Sequence, residues 1–153
     1  MRKGMGRDRD RGISKQRFSL FFLLTCVFTF TFVFAYAQPL PIPEGTHCAE
    51  CGMTVDRDSK FATEVIDVKG GRLFFCDIGD MLYHCRISKS AIRSLYVRDF
   101  STGAWIQGRK AWYVLNKKFV TPMSWSIAAF SSNAEAVKWG VPADFDAAFG
   151  LAK

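Results

Sequence analysis

The chain has 153 residues, a formal net charge of +7, 49% hydrophobic residues and five cysteines. That length fits one domain, or two very small units sharing a core, and excludes a large multidomain enzyme. Of 21 basic and 14 acidic side chains, seven and two lie in residues 1–17 and none in residues 18–37, which leaves 14 against 12 for residues 38–153. The basic balance belongs to the leader, so no nucleic-acid partner is expected of the body.

Residues 1–37 read as an export signal. A basic stretch (Arg2, Lys3, Arg7, Arg9, Arg11, Lys15, Arg17) precedes an apolar run from Phe18, which closes in Ala35-Tyr36-Ala37 before Gln38-Pro39. Basic, apolar and small-x-small regions in that order mark cleavage after Ala37. An uncleaved anchor through residues 18–37 is the alternative, because about 20 apolar residues in a helix span a bilayer core. Lipidation of Cys26, after Leu23-Leu24-Thr25, is a third, although Thr suits the position before such a cysteine poorly. All three leave the body outside the cytoplasm, in the periplasm, since the positive end stays inside.

Residues 38–46 hold three prolines and a glycine and read as an extended tether. Residues 47–153 then form the domain. Phe61 to Val68 and Arg72 to Cys76 are β-prone runs around Gly70-Gly71, which predicts a hairpin. Asp77 reads as a helix cap with Asp80 three residues on. The helix then runs from about Ile78 to Arg86, with Ile78, Met81, Leu82 and Cys85 on one face. Leu95 to Phe100 is a strand. The pattern repeats loosely: strands at Lys110 to Leu115 and Ser124 to Phe130, then a short helix to Trp139 opened by the capping-box spacing of Ser132 and Glu135. The expected class is α+β, with two strand-strand-helix-strand units packed as one body, each too small to bury much alone. Trp105, Trp112, Trp125 and Trp139 supply core area.

The chemistry concentrates in His47-Cys48-Ala49-Glu50-Cys51-Gly52-Met53. Two thiols, a thioether and an imidazole lie within seven residues, and Gly52 lets the chain turn. Thiolate and thioether donors together select Cu(I), which is soft and accepts low coordination numbers; Zn(II) rarely recruits a thioether. Several other uses of the cysteines stay open: a redox pair, a disulfide among Cys48, Cys51, Cys76 and Cys85, or a zinc site with His47 or His84. A thioredoxin-like pair would open a helix after a strand, whereas this one follows a tether. Haem attachment needs His after the second cysteine, and Gly52 stands there. Met81, on the apolar helix face, reads as core, and Cys76, at a strand end, as buried and inert. No paired carboxylates, Ser-His-Asp set or phosphate loop points to an enzyme.

The run from His47 to Val55, with Phe61-Ala62-Thr63-Glu64, Phe74-Phe75-Cys76-Asp77-Ile78-Gly79-Asp80-Met81 and Thr121-Pro122-Met123 before Ala129-Phe130, resembles the NosL family of nitrous oxide reductase accessory proteins. The resemblance covers about Thr46 to Gly140. It implies an exported, often lipid-anchored copper chaperone that binds one Cu(I), built on two strand-strand-helix-strand units. Such a chaperone hands its ion to a copper-receiving protein or membrane assembly complex that builds the copper centres of nitrous oxide reductase. Position by position, it implies Cys48, Cys51, Met53 and Met123 as ligands. The expected site is therefore one or both thiolates of Cys48 and Cys51 with Met53, completed by Met123 or His47. The alternative function is an extracytoplasmic thiol–disulfide oxidoreductase using the C-x-x-C pair.

Overall fold

The structure is a computed structural model and describes residues 38–88 and 91–152. The export signal or anchor expected in residues 1–37, Cys26 included, lies outside the described residues. The chain forms β1 (Thr63–Asp67), β2 (Arg72–Phe75), α1 (Ile78–Ile87), β3 (Ile92–Arg98), β4 (Trp105–Gln107), a 3-10 turn (Gly108–Lys110), β5 (Trp112–Leu115), β6 (Ile127–Phe130), α2 (Asn133–Val137) and α3 (Phe145–Ala148). The class is α+β, as expected. No helix among the described residues is long and apolar enough to cross a membrane.

β1 and β2 form the expected hairpin, with Thr63 opposite Phe75 and Ile66 opposite Arg72. The Asp67 carboxylate closes its turn by accepting from the N–H groups of Lys69 and Gly71, each at 2.8 Å. β3 then returns antiparallel beside β1, and β4 beside β3, so the sheet order is β2-β1-β3-β4. β5 and β6 form a separate two-stranded sheet. The loose repeat is real at the level of topology. β5 pairs with β6 on one side and, through a single antiparallel bridge, with Ala143 on the other. That is the arrangement of β2 and β3 around β1, with the last strand of the second unit reduced to one residue. Pro142 beside that residue offers no N–H to extend the ladder.

The first helix forms for the reasons its sequence gives. Asp77 is extended, and its side chain accepts from Gly79 N–H, relieving an orphan donor of the first turn. Ile78, Met81 and Leu82 are fully buried, packing α1 on β1 and β6 and so against both sheets. β6 is buried throughout because each face meets a different cluster. Ile127 and Ala129 join the main core, while Ala128 and Phe130 join a smaller one with Val114, Phe119 and Ala136. The rings of Phe100, Phe119 and Trp139 pack edge-on and tilted within the smaller cluster, with centroids 4.8 to 5.3 Å apart. All four tryptophans are half-buried and pack against one cluster or the other.

The proline-rich segment lies against this body. Ile42 is buried in the main core, Leu40 N–H donates to Glu64, and Arg72 donates to the Gln38 carbonyl while pairing with the buried Glu64 carboxylate. Three differences from the sequence reading have local causes. The strand expected at Ser124 starts only at Ile127, because Ser124 and Ser126 adopt left-handed backbone angles (φ 61° and 57°). β4 and α3 carry too few residues to show a period.

The two sheets are joined at Asp99, just past β3. It bridges Ala129 in parallel. Its buried carboxylate accepts from Thr102 N–H and Oγ1–H at 2.8 and 3.0 Å and from Ser131 N–H at 2.6 Å. Burial alone would raise its pKa, but the donors of Ser131 and Thr102 outweigh burial and hold it below the usual carboxylate range. The contribution is therefore full above the unfolded-state value and is lost as pH falls through the folded one. Asp99→Ala is expected to cost about 3 kcal/mol near neutral pH, since it leaves buried donors unpaired. In urea titrations the deficit should shrink as pH falls below the ordinary carboxylate range.

Candidate metal centre

Three segments build the centre, beginning with a tight hairpin over residues 46–55. Val55 N–H donates to Thr46 O, Cys48 N–H to Met53 O at 2.7 Å, and Gly52 N–H to Cys48 O at 3.0 Å. Gly52 has φ 77°, a left-handed angle that a side chain resists, so the turn between Cys51 and Met53 requires glycine. The hairpin docks on the outer edge of the larger sheet, where Ala49 N–H donates to Phe74 O of β2 at 2.8 Å. This satisfies an edge carbonyl and brings the Cys48–Cys51 loop beside the end of β2.

The second segment is the β2–α1 junction, which supplies Cys76, Asp77 and Asp80. The third is the loop from Thr121 to Ser126. The carboxylate of Asp77, having capped α1 with one oxygen, accepts from Met123 N–H with the other at 2.9 Å. Thr121 Oγ1 accepts from Ser126 N–H, and its hydroxyl also bonds Asp77. The Thr-Pro-Met run is thus tied to the junction that carries Cys76.

At the meeting point, the Sγ atoms of Cys48, Cys51 and Cys76 and a carboxylate oxygen of Asp80 all lie within 4.8 Å of one another. Cys51 Sγ and Cys76 Sγ are 3.5 Å apart. The Cys48 and Cys76 thiols donate to the same Asp80 oxygen at 3.5 and 3.6 Å, and Trp125 Nε1–H donates to the other at 2.8 Å. All four cysteines of the described residues are free thiols. Cys48, Cys76 and Asp80 are buried and Cys51 is half-buried. Burial pushes the Cys51 thiol up, only partly offset by the Met53 N–H; it pushes the Cys76 thiol up strongly, helped by its hydrogen bonds and the charges of its sulfur neighbours. The apo cluster therefore keeps these two sulfurs protonated at neutral pH. A metal with bonds of about 2.3 Å needs ligand sulfurs somewhat under 4 Å apart. The four atoms need only small inward shifts to meet that.

The remaining expected site residues lie around this cluster. His47 is exposed, its Nδ1 3.0 Å from the Gly52 carbonyl, and it stands outside the four-residue group. Met53 and Met123 are 44% and 39% exposed, one on each of the two loops that meet the junction. Met81 is buried in the core, as read. His84 lies on α1 against Phe75, its Nδ1 3.2 Å from Glu50, which braces the C-x-x-C loop from the side. Cys85 is a part-buried helix thiol whose Sγ–H points to Met81 Sδ at 3.7 Å. Burial pushes its pKa up to about 11.

The sequence reading missed Asp80 as part of the centre and treated Cys76 as inert; Cys76 is buried, but among sulfurs. The available signal was the spacing. Cys76 immediately precedes the Asp77 cap and Asp80 lies in the first turn of α1, so both sit at the helix start.

α1 approaches the third segment closely at Gly79. A Cβ there would sit 2.0 Å from Trp125 Cγ, so no larger residue fits while the indole holds Asp80. Gly79→Ala should displace Trp125 and lower stability by about 2 kcal/mol. The check is a urea midpoint, with altered tryptophan near-UV dichroism reporting the broken indole–carboxylate bond.

The NosL family model matches residues 39–141. The fold is similar to the crystal structure of the copper chaperone NosL from Shewanella denitrificans, at 22% identity and a TM-score of 0.65. The match covers 72% of this chain and 95% of that one. No curated protein sequence matches the chain.

Proposed function

The chain belongs to the NosL family, and from that premise we propose that it is a copper carrier, not an enzyme. The observation that supports this most is the cluster of three thiols and one carboxylate within 4.8 Å, formed where the cysteine hairpin meets the β2–α1 junction. Soft sulfur donors at that density suit Cu(I). Cys48, Cys51 and Cys76 hold the ion as thiolates. The half-exposed thioethers of Met53 and Met123 supply neutral soft ligands, and the exposed imidazole of His47, on the same hairpin as Met53, is the alternative to Met123. Ligand exchange then proceeds from the exposed side, one sulfur at a time, while the buried thiols keep the pocket shaped.

The rest of the reading is carried by the sequence. The basic and then apolar leader of residues 1–37 exports the domain to the periplasm. The body is then soluble after cleavage at Ala37 or held to the membrane through residues 18–37. The recipient is a copper-receiving protein or membrane assembly complex serving nitrous oxide reductase or a related cuproenzyme, which places the protein in denitrification.

The oxidoreductase alternative fares worse on the same geometry. The C-x-x-C pair lies in a hairpin loop, where no helix N-terminus lowers a thiol pKa, and Cys51 is shifted up. A thiol that turns over rapidly at neutral pH needs the opposite shift.

Titrating the reduced protein with Cu(I) against a chelating competitor tests the reading. One equivalent should bind tightly, with affinity reduced at least about 100-fold in Cys51→Ser and about 10-fold in Met53→Leu. The thiols with raised pKa values bind metal only after losing protons, so affinity should rise with pH across the neutral range. Each proton displaced contributes up to about tenfold per pH unit. Failure to retain an equimolar load would overturn the assignment. Copper-independent catalytic turnover of a model disulfide, many equivalents per chain with a thiol reductant supplied, would favour the oxidoreductase instead.

A further inference from the structure

We propose that the same cluster is a redox lock, in which Cys51 and Cys76 join as a disulfide that closes the copper site. The two sulfurs are already in contact at 3.5 Å, although 25 residues apart in sequence, and the Ala49 N–H to Phe74 O bond holds their two segments side by side. Bond formation shortens that separation to about 2.05 Å. The hinge for this movement is the loop carrying Cys51, which is half-buried and can approach, whereas Cys76 is fixed between β2 and the capped start of α1.

Cys48 is the competing partner. Like Cys76 it is buried and donates to one Asp80 oxygen, at 3.5 Å against 3.6 Å, so the choice rests on the direct sulfur–sulfur contact between Cys51 and Cys76. The Asp80 carboxylate is itself held in place by the indole of Trp125 on its other oxygen. Cys85 is occupied at Met81 on α1 and stands outside the cluster.

The oxidant is a disulfide, either low-molecular-weight or on a partner protein. The Cys51 thiol, deprotonated as it attacks, displaces one thiol from it and forms a mixed disulfide. Cys76 then attacks the Cys51 sulfur and releases the second thiol. Two electrons and two protons pass from the pair to the departing thiols, and one intramolecular S–S bond replaces the intermolecular one. Its consequence rests on the copper-carrier reading: oxidation removes two of three thiolates, so a domain arriving oxidised is empty until reduced, and bound copper protects the pair.

The bond and its consequence are measured separately. Reduced protein is desalted, incubated without oxygen with oxidised glutathione, alkylated, digested and mapped by mass spectrometry. The expected product is a peptide joining the Cys51 and Cys76 segments, with Cys48 alkylated. Cys48→Ser should still form it, and neither Cys51→Ser nor Cys76→Ser should. Cu(I) affinity of the oxidised form should fall at least about 100-fold and return on treatment with dithiothreitol. Preloading with Cu(I) should block the reaction. A Cys48–Cys51 bond, a persistent glutathione adduct, unreacted thiols, or an oxidised form that keeps its copper affinity would each overturn the lock. If the bond forms but the reduced protein holds no copper, the carrier reading fails and the gating with it, while the disulfide stands on mass alone.

Discussion

Two buried carboxylates at one helix start, Asp77 and Asp80, hold the centre together, and each does so by joining a partner near in sequence to others remote from it. Asp77 caps α1 with one oxygen and takes the Met123 N–H with the other. Asp80 receives two thiols on one oxygen and the Trp125 indole on the other. Burial raises the Asp77 pKa, and the donors of Thr121, Met123 and Gly79 pull it back toward the charged form. Hydrogen bonds to a buried carboxylate are among the stronger ones available and costly to leave unmade. The junction therefore fixes the cysteine hairpin, the helix and the Thr-Pro-Met loop relative to one another.

The framework that presents this junction is economical because its two units share surfaces. α1 packs against both sheets, and the short β5–β6 sheet has a core on each face. Neither unit could bury enough alone at this size. Asp99 then staples the sheets where β3 gives way to the second unit. The last strand of that unit can shrink to a single bridge at Ala143 because packing, not the ladder, holds it.

Under the proposed function, this division of labour has a physical sense. A carrier must bind a soft ion firmly and still yield it, so buried thiols beside a rigid junction need exposed exchangeable donors next to them. Met53 and Met123 sit on two loops with much of their surface in solvent, while Cys48 and Cys76 are buried. The same crowding of sulfurs that suits a metal also brings two of them within reach of a covalent bond.

The sequence by itself determined the elements and the first half of the centre. The alternation around Gly70-Gly71, the Asp77 cap, the Ser132 cap and the helix face of Ile78, Met81 and Leu82 all act over a few residues, so neighbouring positions suffice to read them. C-x-x-C-G-M is local in the same way, since a single turn with Gly52 brings its two thiols together. Tertiary structure decided the rest. Cys76 looked like a strand-end core thiol, and Asp80 like a helix-start carboxylate, until the hairpin docked on the edge of β2 and Trp125 arrived from a loop 45 residues away. Such placements depend on which sheet edge is free and which helix face is covered, and those are properties of the packed body that no short window of residues contains.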